Sequence, residues 1–88
     1  MKILLYGDSW EEYKELITVA HKLESEGAEV AAGTSNEDLL LPLSVGKLLV
    51  VNHKKYYYDY VVVTDKKRYE WMFDKERLLG LEELEELL

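Results

Sequence analysis

Residues 59–67, Asp59-Tyr60-Val61-Val62-Val63-Thr64-Asp65-Lys66-Lys67, decide how the rest of this chain is assembled. In the residues that follow, Tyr69, Trp71 and Phe73 alternate with Arg68, Glu70 and Met72, the two-residue period of a half-buried strand. Read with that alternation, the region is a β-meander with strands at Leu48–Val51, Tyr56–Thr64 and Arg68–Phe73, all rich in β-branched and aromatic residues. The run Val50-Val51-Asn52-His53-Lys54-Lys55 resembles Val62-Val63-Thr64-Asp65-Lys66-Lys67, so one strand-and-turn unit occurs twice. Neither turn contains glycine, which favours longer loops over tight two-residue hairpins. A second reading makes residues 59–65 a parallel strand and starts a helix at Lys66. The meander is adopted here, with the parallel strand kept as its alternative.

Upstream, Ile3 to Tyr6 is a continuous apolar run, the pattern of a central strand covered on both faces. Ser9 and Glu12 have capping-box spacing, and Asp8, Glu11 and Glu12 place negative charge at the positive end of the helix that follows. Trp10, Tyr13, Leu16, Ile17, Ala20 and Leu23 recur at helical spacing through Glu26, and Gly27 sits where a left-handed cap is wanted. Ala28 to Gly33 is a second strand, parallel to the first through a right-handed crossover. Ser35 caps a short turn through Leu41 that ends at Pro42. Leu78 to Leu88 is an acidic helix with Leu81, Leu84, Leu87 and Leu88 on one face.

The expected fold is therefore α+β: a two-layer sandwich in which a β-α-β unit is followed by a β-meander and a C-terminal helix. The sheet is mixed, with about five strands and both helices on one face. Residues 1–88 form a single compact domain, and the other sheet face is left for a partner.

A chain of 88 residues buries only about 60–65% of its unfolded surface, so self-association is expected to add to its stability. Without cysteine there is no disulfide framework and no thiolate chemistry. The first apolar run is too brief for a signal peptide or a membrane span, which leads to a cytoplasmic expectation. High Glu and Lys without cysteine is compatible with a thermophilic source. The net charge of -7 is unevenly spread, with a basic segment at residues 47–68 between two acidic flanks. A net-acidic chain disfavours general nucleic-acid binding unless that segment forms one coherent patch.

Ile3 to Trp10, ILLYGDSW around Gly7, Asp8 and Ser9, resembles the first conserved block of the SGNH (GDSL-like) hydrolases, which implies Ser9 as a nucleophile. The resemblance covers about eight residues. That family's Gly-x-Asn-Asp block is missing, and Thr18 and Val50 stand where an aspartate would precede His21 and His53. A serine without an activating base is a weak nucleophile, and the capping box already accounts for Ser9.

The candidate ligand-binding residues are Gly7, Asp8, Ser9 and Asp65. In the parallel reading Asp8 and Asp65 both lie at strand C-terminal ends, where open α/β sheets bind ligands. A phosphate or divalent metal there, with phosphoryl or nucleotide chemistry, is the first alternative function. The second is nucleic-acid binding by the Lys- and Tyr-rich segment 53–68, although a meander would put its two lysine turns at opposite ends of the sheet. Both histidines read as peripheral, His21 at the edge of the core and His53 on the surface. No catalytic set, cofactor motif or metal site is assembled by spacing. The principal expectation is a non-enzymatic binding or assembly module that pairs with its own copy or another protein. Its candidate interface comprises Tyr56, Tyr58, Tyr60, Trp71, Phe73, Leu84, Leu87 and Leu88.

Overall fold

The computed structural model describes residues 1–87, with side chains through Glu86; the interface expectation for the side chains of Leu87 and Leu88 lies outside what is described. In chain order the elements are β1 (Lys2–Tyr6), α1 (Trp10–Ser25), β2 (Glu29–Gly33), a 3-10 turn (Glu37–Leu39), α2 (Leu40–Val45), β3 (Leu49–Val50), β4 (Tyr60–Val63), α3 (Lys66–Tyr69), β5 (Leu78–Gly80) and α4 (Leu81–Leu87). The strands form one sheet in the order β3-β2-β1-β4-β5, and every pairing is parallel. The fold is α/β, and neither the mixed sheet nor the meander is present.

The reason lies in Val61, Val62 and Val63, all of which are fully buried. Val62 packs with Ile3, Leu5, Val30, Ala32 and Leu79 on one face of the sheet, and Val61 and Val63 with Leu4, Tyr6, Ala31 and Leu78 on the other. A strand covered on both faces shows no alternation, and it is the same pattern that marks β1 as central. The alternation after Arg68 belongs to a helical turn instead. Tyr69 and Phe73 are four residues apart, are joined by a backbone hydrogen bond from Phe73 N to Tyr69 O (3.3 Å), and are both buried, while Trp71 between them points outward.

The β-α-β unit forms as its residues dictate. Ser9 Oγ accepts from Glu12 N and the Glu12 carboxylate accepts from Ser9 N, completing the capping box. Tyr13, Leu16, Ala20 and Leu23 are buried against the sheet, and Gly27 closes the helix at φ 91°. Trp10, expected on the buried stripe, is 43% exposed: at the first position of α1 it lies to one side of the buried line of Tyr13, Leu16, Ala20 and Leu23. Asn36 rather than Ser35 caps the next turn, its side chain accepting from Asp38 N. Pro42 does not end that turn. It sits in the first turn of α2, where its missing N–H costs no helical hydrogen bond.

α1, α2 and α4 supply Leu16, Leu43 and Leu84 to one face. The opposite face is covered by Tyr69 and Phe73 with Val51, Tyr56, Tyr58 and Met72 packed around them. Three layers result, and no sheet face is left for a partner. Crossovers of one hand running in opposite directions from β1 must lie on opposite faces, so the connections to β4 and β5 cannot share a side with α1.

Helical spacing makes Tyr69 and Phe73 equivalent and sets Trp71 apart, whereas an alternating strand would make all three alike. Phe73→Ala is expected to lower stability by about 3 kcal/mol or more, and Trp71→Ala to change it by less than about 0.5 kcal/mol. Urea unfolding of the two variants checks this, and similar losses for both would contradict the helical turn.

Candidate functional site

A parallel sheet brings every strand exit to one rim. Here the rim carries Gly7-Asp8-Ser9 after β1, Thr34-Ser35-Asn36 after β2, Asn52-His53-Lys54 after β3 and Thr64-Asp65 after β4. Strand order reverses between β1 and β4, and at such a switch point the two exits diverge and leave a crevice for ligands.

That crevice holds the carboxylate of Glu12, the one buried charged side chain among the described residues. It accepts hydrogen bonds from Asp8 N (2.7 Å), Ser9 N (3.0 Å) and Ser9 Oγ (3.3 Å) at the β1 exit. From the other side Tyr69 Oη (2.7 Å) and Thr64 Oγ1 (3.5 Å) donate to it, with Arg68 Nη1 at 3.9 Å. Burial alone would raise the Glu12 carboxyl above its ordinary value. The donors from Tyr69, Asp8 and Ser9, with the Arg68 charge, outweigh burial and leave it below that value. The same contact works in reverse on Tyr69, whose phenol is pushed well up by burial and by the anion it donates to. Gly7 is dictated by the tightness of this corner, since a Cβ there would meet Glu12 Cβ at 3.1 Å and Leu16 Cδ1 at 3.2 Å.

Asp8 works sideways along the rim. Its carboxylate accepts from Ser35 N (2.8 Å), Thr34 Oγ1 (3.3 Å) and Tyr6 Oη (3.3 Å), and its carbonyl accepts from Asn36 Nδ2 (3.0 Å), tying the β1 exit to the β2 exit. Tyr6 Oη also shares a hydrogen bond with Ser35 Oγ. Below it, Tyr13 Oη donates to the carbonyls of Leu5 and Gly33, stitching β1 to β2 from the helix side.

Of the residues singled out from the sequence, Gly7, Asp8 and Ser9 share one turn and Asp65 lies on the neighbouring strand exit, as the parallel reading requires. Asp65 is exposed at the start of α3 and makes no side-chain cap there. Among the described residues no three His, Asp or Glu side chains converge as metal ligands. A phosphate at the α1 N-terminus would meet the Glu12 carboxylate, which already accepts from the N–H groups of Asp8 and Ser9 there. The hydrogen bonds of the Ser9 hydroxyl run to Glu12, the geometry of a cap rather than of a nucleophile with its base.

The interface residues are dispersed. Phe73 and Leu84 are buried in opposite cores and present no surface. Tyr56 and Tyr58 are half-buried against the second face, and Tyr60 lines a small apolar cavity with Met1, Leu23 and Leu84. Trp71 alone among the described members of the set stands out in solvent, 82% exposed. The two lysine turns, expected at opposite ends of the sheet, share its rim because both follow strands running the same way. His53 is not a surface residue but half-buried, edge-on to Tyr6 at 4.9 Å. Burial and Lys54 hold its imidazole below the ordinary value, against a smaller opposing pull from Asp8.

Sequence reasoning missed Glu12, Thr64 and Tyr69 as one cluster, and Tyr6 and Ser35 as partners of Asp8. The capping-box spacing was the one local signal for Glu12. No family model, curated protein or solved structure matches this chain.

Because Glu12 is held below the ordinary carboxyl value of 4.5, its stabilisation is complete above that value and is lost as the pH falls through the folded-state value. Glu12→Gln keeps the shape but turns an amide donor toward backbone donors, and is expected to cost about 2 kcal/mol at neutral pH. Thermal unfolding across pH should show wild type losing stability more steeply than E12Q below 4.5. Parallel curves would mean that the carboxylate is not held as described.

Proposed function

We propose that this chain is a non-enzymatic binding module that assembles with a second copy of itself through the β3 edge of its sheet. The observation that carries this reading is where the exposed apolar residues gather. Leu40, Leu41 and Val45 on α2 and Leu49 on β3 are 41%, 73%, 74% and 52% exposed, four large apolar side chains within ten residues of chain. α2 lies over the first sheet face and Leu49 points to the second, so both sides of the outermost strand carry exposed apolar residues, and its outer backbone groups face away from β2.

Such an edge is a template for another strand, and an antiparallel copy related by a two-fold axis is complementary to it by construction. Leu49 is in register with Ala31 and shares its sheet face, so two Leu49 side chains would meet across the joined strands. On α2, Leu41 and Val45 lie one turn apart on the side away from buried Leu43. Two strand residues alone make too small a contact, since stable interfaces bury more than about 1,000 Å² in total. The outer face of α2 supplies the additional apolar area. The interface expected at Phe73 and Leu84 thus moves to a different part of the chain.

Sedimentation equilibrium of the full chain from low micromolar to several hundred micromolar should show a monomer–dimer equilibrium. The L41E/V45E variant should raise its dissociation constant by at least about tenfold, and L49K should act in the same direction. A monomer at every concentration, or a dimer indifferent to these changes, would overturn the reading.

A further inference from the structure

With the switch-point crevice filled by Glu12, the open groove on the same rim lies beside it, over the second sheet face, between the exits of β2 and β3 and the turn after α3. Ser35, His53, Lys54, Tyr58, Trp71 and Phe73 line it. Its volume of about 560 Å³ lies within the roughly 300–1,000 Å³ of small-molecule sites. We infer that this groove binds a nucleobase carrying a phosphate, the base stacked on Trp71 and the phosphate drawn to Lys54.

Trp71 makes the first half of the case. Its indole N–H donates to Arg68 O at 3.0 Å, which fixes the ring, yet the side chain is 82% exposed. A tethered, uncovered aromatic face is a stacking platform that loses little freedom when a ring lies on it. Behind it, Tyr58 packs on Phe73 at 6.3 Å and His53 packs on Phe73 at 6.3 Å and on Tyr6 at 4.9 Å, so the remaining walls are rigid and aromatic.

Charge and hydrogen bonding make the second half. Of the cations on the rim, Lys66 pairs with Glu83 at 3.0 Å and Arg68 lies 3.9 Å from Glu12. Lys54 has no such acidic partner among the described residues, and its turn is set by its own N–H donating to Asn52 Oδ1. Among the described residues neither ring nitrogen of His53 bonds a protein group, and its lowered proton affinity leaves a neutral ring offering one donor and one acceptor toward the groove. A planar ring with hydrogen-bonding edges and an attached anion matches all three features. A purely apolar ligand would leave Lys54 and His53 without partners, and a bare phosphate would leave Trp71 uncovered.

A free nucleotide and the end of a nucleic-acid single strand present this same unit, and the test separates them. The inference does not rest on the β3 edge, which is read by oligomeric state. Isothermal titration of the full chain with AMP, adenosine, inorganic phosphate and a short single-stranded oligonucleotide is the experiment. AMP should bind saturably and more tightly than adenosine or phosphate. Trp71→Ala and Lys54→Ala should each weaken it by at least about tenfold, and Trp71→Phe should retain most of the affinity. An oligonucleotide bound more tightly than AMP, with affinity falling steeply in salt, would identify the strand as the source. No binding of AMP or oligonucleotide at millimolar concentration, or binding unchanged in Trp71→Ala, would overturn the inference.

Discussion

The carboxylate of Glu12 is the group on which the architecture of the rim depends. An unpaired buried carboxylate costs several kcal/mol, and here donors from the β1 exit, the start of α1, the end of β4 and α3 meet it together. Satisfying one charge therefore fixes the relative position of four segments. It also determines what the switch point can do. The helix N-terminus that would attract an external anion is neutralised by a side chain from its own first turn, so the open recognition chemistry of the rim lies to one side, over the second face.

The first thirty-three residues were legible because each local signal there agrees with the next. An apolar run, a capping box, a helical stripe and a glycine at the left-handed cap all specify the same β-α-β unit, and the structure contains it. The chain after Lys47 was not legible in the same way. β3 and β5 have two and three residues, too few to display a period. Tyr69, Trp71 and Phe73 imitate a strand because positions two apart share a face in a strand, while positions four apart align on a helix, and in a run of six residues Tyr69 and Phe73 satisfy both. Val61 to Val63 carried the signal that settles the matter, an unbroken buried run like Ile3 to Tyr6. The neighbouring tyrosines and lysines obscured it.

The site was legible in part for the same reason. Asp8 and Asp65 belong to strand exits, as the parallel alternative to the meander had them, and the two strands are neighbours in the sheet. Which carboxylate would be buried was not readable. Glu12 and Tyr69 are remote in sequence, and nothing in either neighbourhood refers to the other. The apolar face of α2 was also hidden, since Leu40, Leu41, Leu43 and Val45 look alike in sequence and the packing of Leu43 on the sheet decides which of them face outward.

The strand order has a consequence for how the chain comes to be folded. β1 pairs with β2 across a local helix, but its other edge pairs with β4, joining Ile3 to Tyr60. During synthesis the β-α-β unit is available early, while the second edge of its central strand stays open until most of the polypeptide has emerged. In that interval the unit presents the fully apolar strand Ile3 to Tyr6 with unpaired backbone groups, the kind of edge that captures other strands. Closing that long loop with a parallel pairing is the slow step expected of non-local topology. The late arrival of Val61 to Val63 thus covers the open edge of the Ile3 to Tyr6 strand, and Leu78 and Leu79 of β5 then cover the edge of β4 in turn.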